Sequence, residues 1–454
     1  MPVVPRPTSP LPKARPSGAR FSKGCNLHML QPTLPRRRPF RPGSLFIALR
    51  SALLVAAALG GLPQGMELNG RALAYQDRFV TSPGMPRSGS SMLEIGDVEL
   101  DLGLAVDMRA PITLDGPGRS GEISADLRVL DLAVAATINR DLWAFALVEG
   151  TSEELTLRNA ALIYEGLSSS SYLRLGILPI DFGKQMQARP YELSYPERPG
   201  VLRAYLGDQV LATGVSYGDV FATGEHSTMR ASFGLFTQTE RLDSHIDGRT
   251  LALPELSVTD GPRLDELAIN ARLTGLRDVG QEGVLQWGVS AHSVPDFSVA
   301  LTAGDGTSLD AEHLDHWVYG ADLTFGLSDE TEGPSWSAGW EGLIADGEIG
   351  AQAVGAGPAT LEIFDDQVFG QYYWLEHQTR SGRALGMTYS TFERTTPGTP
   401  QEQEVSLYFS RPMGQRSTLR FQLSHRDVEG EAPGERLLVQ WSAQAGKLGH
   451  ALDW

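Results

Sequence analysis

The chain has 454 residues, 41% of them apolar, with a formal charge of −17, and a mean hydropathy of −0.17. That is too polar for a bundle of membrane helices, but compatible with a β-barrel, in which only alternate strand residues face lipid. Residues 1–60 hold ten Lys or Arg and no acid, leaving 28 basic and 55 acidic residues in the rest, a balance of −27 that excludes a nucleic-acid partner.

The first 44 residues are rich in Pro and Arg and read as a basic disordered extension, or as sequence upstream of a true start at Met29. Residues 45–74 follow the pattern of a secretory signal: Arg36-Arg37-Arg38 and Arg41, an apolar run from Leu45 to Leu59, then small residues. Cleavage falls after Gly60 or after Ala74, where Ala72-Leu73-Ala74 makes a small-x-small site. Cys25, the sole cysteine, precedes the apolar run, so the exported part carries no disulfide, thiol chemistry or cysteine metal site.

From residue 92 to residue 454 the ruling signal has period two. Val98, Leu100, Leu102, Leu104, Val106 and Met108 alternate with mostly polar or small neighbours, and Val405, Leu407 and Phe409 with Glu404, Ser406, Tyr408 and Ser410. Cutting at turn signals predicts strands near 98–108, 126–138, 141–149, 155–165, 172–182, 209–218, 226–237 and 263–275. The second half follows at 283–294, 315–327, 335–345, 367–377, 383–393, 402–411, 416–426 and 435–446. Most are about 9–13 residues long, the reach a tilted strand needs to cross a bilayer. The expectation is an all-β, antiparallel transmembrane barrel of about sixteen strands, within a range of about 14–18.

Connections alternate in length. Asn139-Arg140, Gly166–Ser171, Gln378–Gly382 and Pro412–Gln415 are short and assigned to the periplasm; Gly183–Asp208, Gln238–Pro262, Pro295–Leu314 and Asp346–Asp366 are long and assigned to the outside. All eight tryptophans lie beyond residue 140, and Trp143, Trp317, Trp336, Trp374 and Trp441 are expected to form interfacial belts. The C-terminal Trp454 suits a substrate of the barrel-assembly machinery.

Residues Leu173 to Tyr217 carry the most specific pattern: LRLGILPIDFGKQMQARPYELSYPERPGVLRAYLGDQVLATGVSY. A Leu-Arg-x-Gly strand, a Phe-Gly, a loop rich in Pro and Arg, then Leu-Gly-Asp and a glycine-centred strand resemble porin-like barrels of the phosphate-selective porin superfamily and its relatives. The last strand, running into Ala445-Gly446-Lys447-Leu448-Gly449-His450-Ala451, is similar too. The resemblance implies a sixteen-stranded barrel, commonly a homotrimer, that passes small solutes. It departs in one respect: phosphate-selective members line their pore with lysines, whereas only Lys184 and Lys447 follow the leader here. Basic lumen positions would have to be arginines such as Arg158, Arg174, Arg230 and Arg420.

Gly183–Asp208 is the third outer loop, the one that folds inward in general porins. Its Lys184, Arg189, Arg198 and Arg203, set against Glu192 and Glu197, are expected to constrict the pore with a transverse field across water, the loop being stiffened by Pro190, Pro196 and Pro199. Other chemistry is weakly signalled. Glu312, His313, Asp315 and His316 are neighbours in sequence without a shared face, so no metal site is expected. Ser424-His425-Arg426-Asp427 alternates between faces and makes no triad; no cofactor motif is present. The expected function is passive diffusion of small hydrophilic solutes or ions, with a cation preference suggested by the net charge. The expected partners are outer-membrane lipid and lipopolysaccharide. A barrel enzyme acting on lipid or envelope substrates, or a secreted soluble β-protein, are the alternatives, and no enzymatic activity is expected.

Overall fold

The computed structural model describes residues 92–95, 98–114, 124–151, 155–168, 170–186, 188–207, 209–224, 226–239, 267–280, 283–302, 308–328, 335–354, 360–393, 401–414, 416–428 and 433–446. The leader with its cleavage region, the connection 240–266 and Trp454 lie outside them.

Sixteen antiparallel strands close into a ring. In chain order they are β2 (Val98–Thr113), β3 (Asp126–Asn139), β4 (Leu142–Gly150), β5 (Leu155–Tyr164), β6 (Ser171–Pro179), β7 (Leu211–Gly224), β8 (Ser227–Thr239) and β9 (Ala268–Val279). They continue as β10 (Gly283–Thr302), β11 (Ser308–Ser328), β12 (Ser335–Val354), β13 (Thr360–Gln378), β14 (Ala384–Phe392), β15 (Glu402–Pro412), β16 (Ser417–Val428) and β17 (Gly434–Gly446). Each pairs with the next, and β17 returns to β2 from Arg436↔Thr113 to Gly446↔Gly103. A short strand β1 (Met92–Ile95) folds back on β2 at residues 98–101, just beyond the last β17 partner. The one helix among the described residues, α1 (Gly200–Leu206), lies between β6 and β7.

All sixteen expected strands are present. Two of the expected long loops are not loops. Residues 295–314 mostly continue β10 and β11, and residues 346–366 mostly continue β12 and β13. The misleading signals were local backbone breakers. Pro295 has no N–H to donate to the ladder, and the sheet slips register around it between Val294 and Phe297 instead of ending. Gly347, at φ 98°, precedes a similar slip between Glu348 and Gly350. A bulge takes up such a residue without breaking the strand.

Alternation along the strands sorts the residues in the reverse of a soluble protein. On β15, Glu402, Glu404, Ser406, Tyr408 and Ser410 are buried while Val405, Leu407 and Phe409 are exposed. On β11, Asp322 and Thr324 are buried while Leu323, Phe325 and Leu327 are exposed. Exposed apolar side chains recur around the whole ring, from Leu102 and Leu132 to Leu423 and Trp441. Water would disfavour so large a continuous apolar girdle, whereas hydrocarbon stabilises it.

Aromatics only partly follow the expected belts. Trp317, Trp336 and Trp441 are exposed on the outer face, and Tyr164, Phe221, Phe325 and Phe409 lie toward the short-turn ends of their strands. Trp374 is buried inside and Trp143 packs against the same internal cluster, so strand parity moves these two from the belts to the interior.

Candidate constriction inside the barrel

The connection from β6 to β7 enters the barrel and touches both walls. It leaves Pro179 as Ile180-Asp181-Phe182, all buried. Gly183, at φ 57°, donates its N–H to Ser290 Oγ on β10 (3.1 Å). At this positive φ another residue would be strained, and its β-carbon would have to displace the Glu341 carboxylate. The Phe182 ring fills the space over Gly320 of β11.

Apolar contact seats the loop. Ile180, Phe182, Met186, Val201, Leu202, Tyr205 and Leu206 form one cluster with inward residues including Phe145, Ile163, Phe236, Val318, Leu343, Tyr372 and Phe392. α1 owes its short helical turn to this face, since every residue in it except Arg203 is buried. Burying each large side chain stabilises the inward position by about 1.5–3 kcal/mol. Half a dozen of them outweigh the usual contribution of exposed ion pairs, about 0–1 kcal/mol each.

Polar contacts fix the register of the loop. Arg189 forms a two-pronged pair with Asp131 of β3 (Nε–Oδ2 2.9 Å, Nη2–Oδ1 2.8 Å) and also binds Glu149 of β4. Burial opposes its charge, yet Asp131 and Glu149 raise the Arg189 pKa above its ordinary value. Gln440 and Arg420 donate to the carbonyls of Pro190 and Tyr191 (3.4 and 2.7 Å), and Arg128 to that of Pro196 (2.8 Å). Tyr195 packs edge-on to Tyr408, with centroids 5.1 Å apart.

Each candidate residue has a definite place. Lys184 is buried and binds Gln286; burial pushes its pKa down to about 8. Glu192 accepts the N–H of Arg189 (2.6 Å), closing a tight turn. Arg198 is buried and donates to the carbonyls of Gln185 and Ala188. Glu197 accepts from Arg436 (3.0 Å) and faces Arg203 (3.7 Å). Burial opposes ionisation there, but Arg203, Arg436 and Arg128 hold Glu197 below the ordinary carboxylate range. Arg203 reaches Glu404 on β15 (2.6 Å).

Among the wall arginines, Arg158 faces Glu149 (3.5 Å) and Arg174 donates to Ser216 (3.2 Å) while lying over the Tyr172 ring. Arg230 pairs with Asp181 (2.9 Å), and Arg420 donates to Ser442 (2.6 Å). Of the loop cations, Lys184, Arg189 and Arg198 are buried and held by partners. Such burial is tolerated only where a charge meets a partner of opposite sign or several hydrogen bonds.

The sequence reading missed the acids that receive these cations, namely Asp131, Glu149, Asp181 and Glu404. Parity was the available signal. Asp131 sits on the buried face of β3 between Val129 and Ala133, where a carboxylate implies a partner. Arg272 was missed likewise; it pairs with Asp322 at 2.9 Å.

No family model matches the sequence, and neither does any curated protein. Solved structures do share its architecture. OmpT lacking loop L8, an outer membrane protein of Vibrio cholerae, is 13% identical, with 77% of this chain and 99% of that one covered and a TM-score of 0.51. In-vitro folded OmpT from the same organism is also 13% identical, with coverage of 78% and 100% and a TM-score of 0.50. Its trimer form is 12% identical, with coverage of 77% and 99% and a TM-score of 0.50. At these identities the likeness is one of fold: the chain has the closed sixteen-stranded barrel of these outer membrane proteins.

Proposed function

We propose that this chain is an outer-membrane channel for passive diffusion of small hydrophilic solutes or ions, narrowed by loop 183–208. One observation carries the reading: the closed ring turns a girdle of apolar side chains outward and its charged and polar strand residues inward, beside the apolar cluster that seats the loop. A hydrocarbon-facing surface around a polar interior is what a water path through a membrane requires. Lys184, Arg189, Glu192, Glu197, Arg198 and Arg203 would form the constriction, with Arg158, Arg174, Arg230 and Arg420 on its wall. Because these charges neutralise one another locally, solute size governs passage more than solute charge, despite the acidic balance of the chain. Phosphate selectivity is not carried over from the resembling superfamily, since the lysines it would use are missing.

The remaining parts fit the same reading. The 45–74 leader would export the chain, and the barrel-assembly machinery would insert it. The outward face of β2–β6 is aliphatic, with Leu102, Leu104, Leu132, Leu162 and Leu175 exposed and Tyr164 its only exposed large aromatic among the described residues. We take this face as the contact between copies in a homotrimer.

Single-channel recording on the refolded protein in planar bilayers tests the proposal. Small, discrete steps are expected, with a reversal potential near zero in a salt gradient. Replacing residues 186–205 by a short Gly-Ser linker should enlarge the steps severalfold. A barrel that inserts and never conducts, with or without the loop, would overturn the reading.

A further inference from the structure

The two roots of the inward loop and the stretch between them are seated differently. Ile180, Phe182 and Met186 at the entry, and Val201, Leu202 and Tyr205 of α1 at the exit, belong to the large apolar cluster; no residue from 188 to 198 does. That middle stretch crosses to the other side of the ring. Its apolar contacts form two small groups, Ala188, Leu193 and Tyr195 with Tyr408 of β15, and Tyr191 with Ala105 of β2 and Val129 of β3. The others are polar. Arg189 meets Asp131 and Glu149, the Glu197 N–H donates to Gln422 Oε1 of β16 (3.0 Å), and the carbonyls of Pro190, Tyr191 and Pro196 accept from wall side chains. With Asp181 on Arg230 of β8, Lys184 on Gln286 of β10 and Tyr205 on Phe392 of β14, loop contacts run around the ring.

Residues 188–198 also make a unit of their own. Arg198 donates to the carbonyls of Gln185 (3.3 Å) and Ala188, which holds the two ends of the stretch together. Loops of this length whose ends meet are compact pieces, frequently functional ones.

The wall behind this arm suits water. Asp107, Ser406, Gln422, Ser424, Gln440 and Ser442 are all buried there. They bond largely to one another, Gln440 to Asp107 (2.7 Å), Gln422 to Ser406 (3.2 Å) and Ser406 to Ser424 (2.8 Å). Among the described residues, Asp107 Oδ2, Arg420 Nε and Gln440 Oε1 have no hydrogen-bond partner, a cost that contact with water relieves. The wall behind the roots is the reverse, with Val294, Val318, Leu343 and Phe392. Lifting the roots would wet apolar surface, whereas lifting the arm wets groups that solvate readily.

We infer that residues 188–198 are a gate: seated, they close the barrel, and the channel conducts while they are lifted and the roots stay docked. This rests on the channel reading above and makes the seated loop a shut state. The small steps expected of the wild-type protein are then openings of the arm. Replacing residues 186–205 enlarges them because α1 goes too.

A bridge across the seated arm tests the gate. In a Cys25→Ser background, Tyr195→Cys with Tyr408→Cys places thiols where the two rings lie, their centroids 5.1 Å apart. The full chain, refolded in micelles, is treated with a bifunctional methanethiosulfonate reagent and then inserted into planar bilayers. Unbridged channels should conduct, bridged ones should be silent, and a reductant added during recording should restore the steps. Heat-modifiable electrophoretic mobility reports that each barrel is folded, and Tyr191→Cys with Val129→Cys bridges the arm to β3 if the first pair does not fold. Bridged channels that keep the unbridged step size would sink the gate and leave the loop a fixed constriction. Silence of every form, the loop-replaced barrel included, would instead remove the channel reading itself.

Discussion

Strands β4, β5 and β6 are 9, 10 and 9 residues long, whereas β10 to β13 run to 20, 21, 20 and 19. The short set just meets the roughly 9–11 residues that a tilted strand needs to cross hydrocarbon; the long set continues past it as paired ribbon. Their outer faces differ as well, aliphatic on the short side and studded with Trp317, Phe325, Trp336, Phe369 and Tyr373 on the long side. Inside, the loop springs from the low wall and meets each side differently. Apolar loop residues pack on both walls, on Phe145 and Ile163 of the low one and on Val318 and Leu343 of the high one. Arg189 adds buried ion pairs with Asp131 of β3 and Glu149 of β4 on the low side, while Gly183 and Lys184 hydrogen-bond to Ser290 and Gln286 on the high side. Both walls therefore hold the loop by shape, and only the low side adds the ion pairs of Arg189.

The sharpest way to break this contrast is Arg189→Met. It leaves Asp131 buried without its cation, an expected loss of about 3–5 kcal/mol in loop seating. Larger, noisier conductance steps and protease cleavage between 183 and 208 should follow, and steps identical to wild type would mean the low-wall grip is idle. Next in size is a charge on the outer girdle. Leu407→Arg on β15 should cost about 2–4 kcal/mol in urea unfolding from lipid vesicles. Leu175→Arg on β6 should in addition abolish the cross-linked trimer, and a trimer that survives would remove the aliphatic face as the subunit contact.

A smaller effect is expected from alkali. Burial holds Lys184 near 8 in the folded chain, against an ordinary 10.5. Between those values the released loop binds more protons than the seated one, so seating gains stability as pH rises from about 8 to about 10.5. Conductance should fall across that window and stay flat in Lys184→Met. Smallest is Trp336→Ala, which removes a ring packed on His377 with centroids 4.3 Å apart. It should cost about 0.5–1.5 kcal/mol beyond its buried area, read as a slight shift in the urea midpoint.

Period-two alternation made all sixteen strands legible because each residue's face is a local property, visible without knowing which strand lies next door. Strand ends were harder. Pro295 and Gly347 carry the signature of turns, and only pairing with β11 and β13 keeps the ladder running through them. The loop's inward path rested on resemblance, and the partners of its charges are distant in sequence: Arg189 meets Asp131 across 58 residues, Arg203 meets Glu404 across 201. No window along the chain contains such a pair. His316 stood in an apparent cluster with Asp315, yet the two point to opposite faces; the neighbour that shares its wall is His292.

The seam between β2 and β17 has a consequence for how the molecule is made. Its two margins belong to the beginning and the end of the ring-forming sequence, so the cylinder cannot shut until the final hairpin has emerged and been delivered. Until then both margins present unpaired N–H and carbonyl rows, an invitation to stick to any passing ribbon. The little β1 fold-back shields part of the earlier margin from the outset. A chain stalled short of Gly434 should therefore accumulate as an open, aggregation-prone sheet, however sound its other fifteen staves.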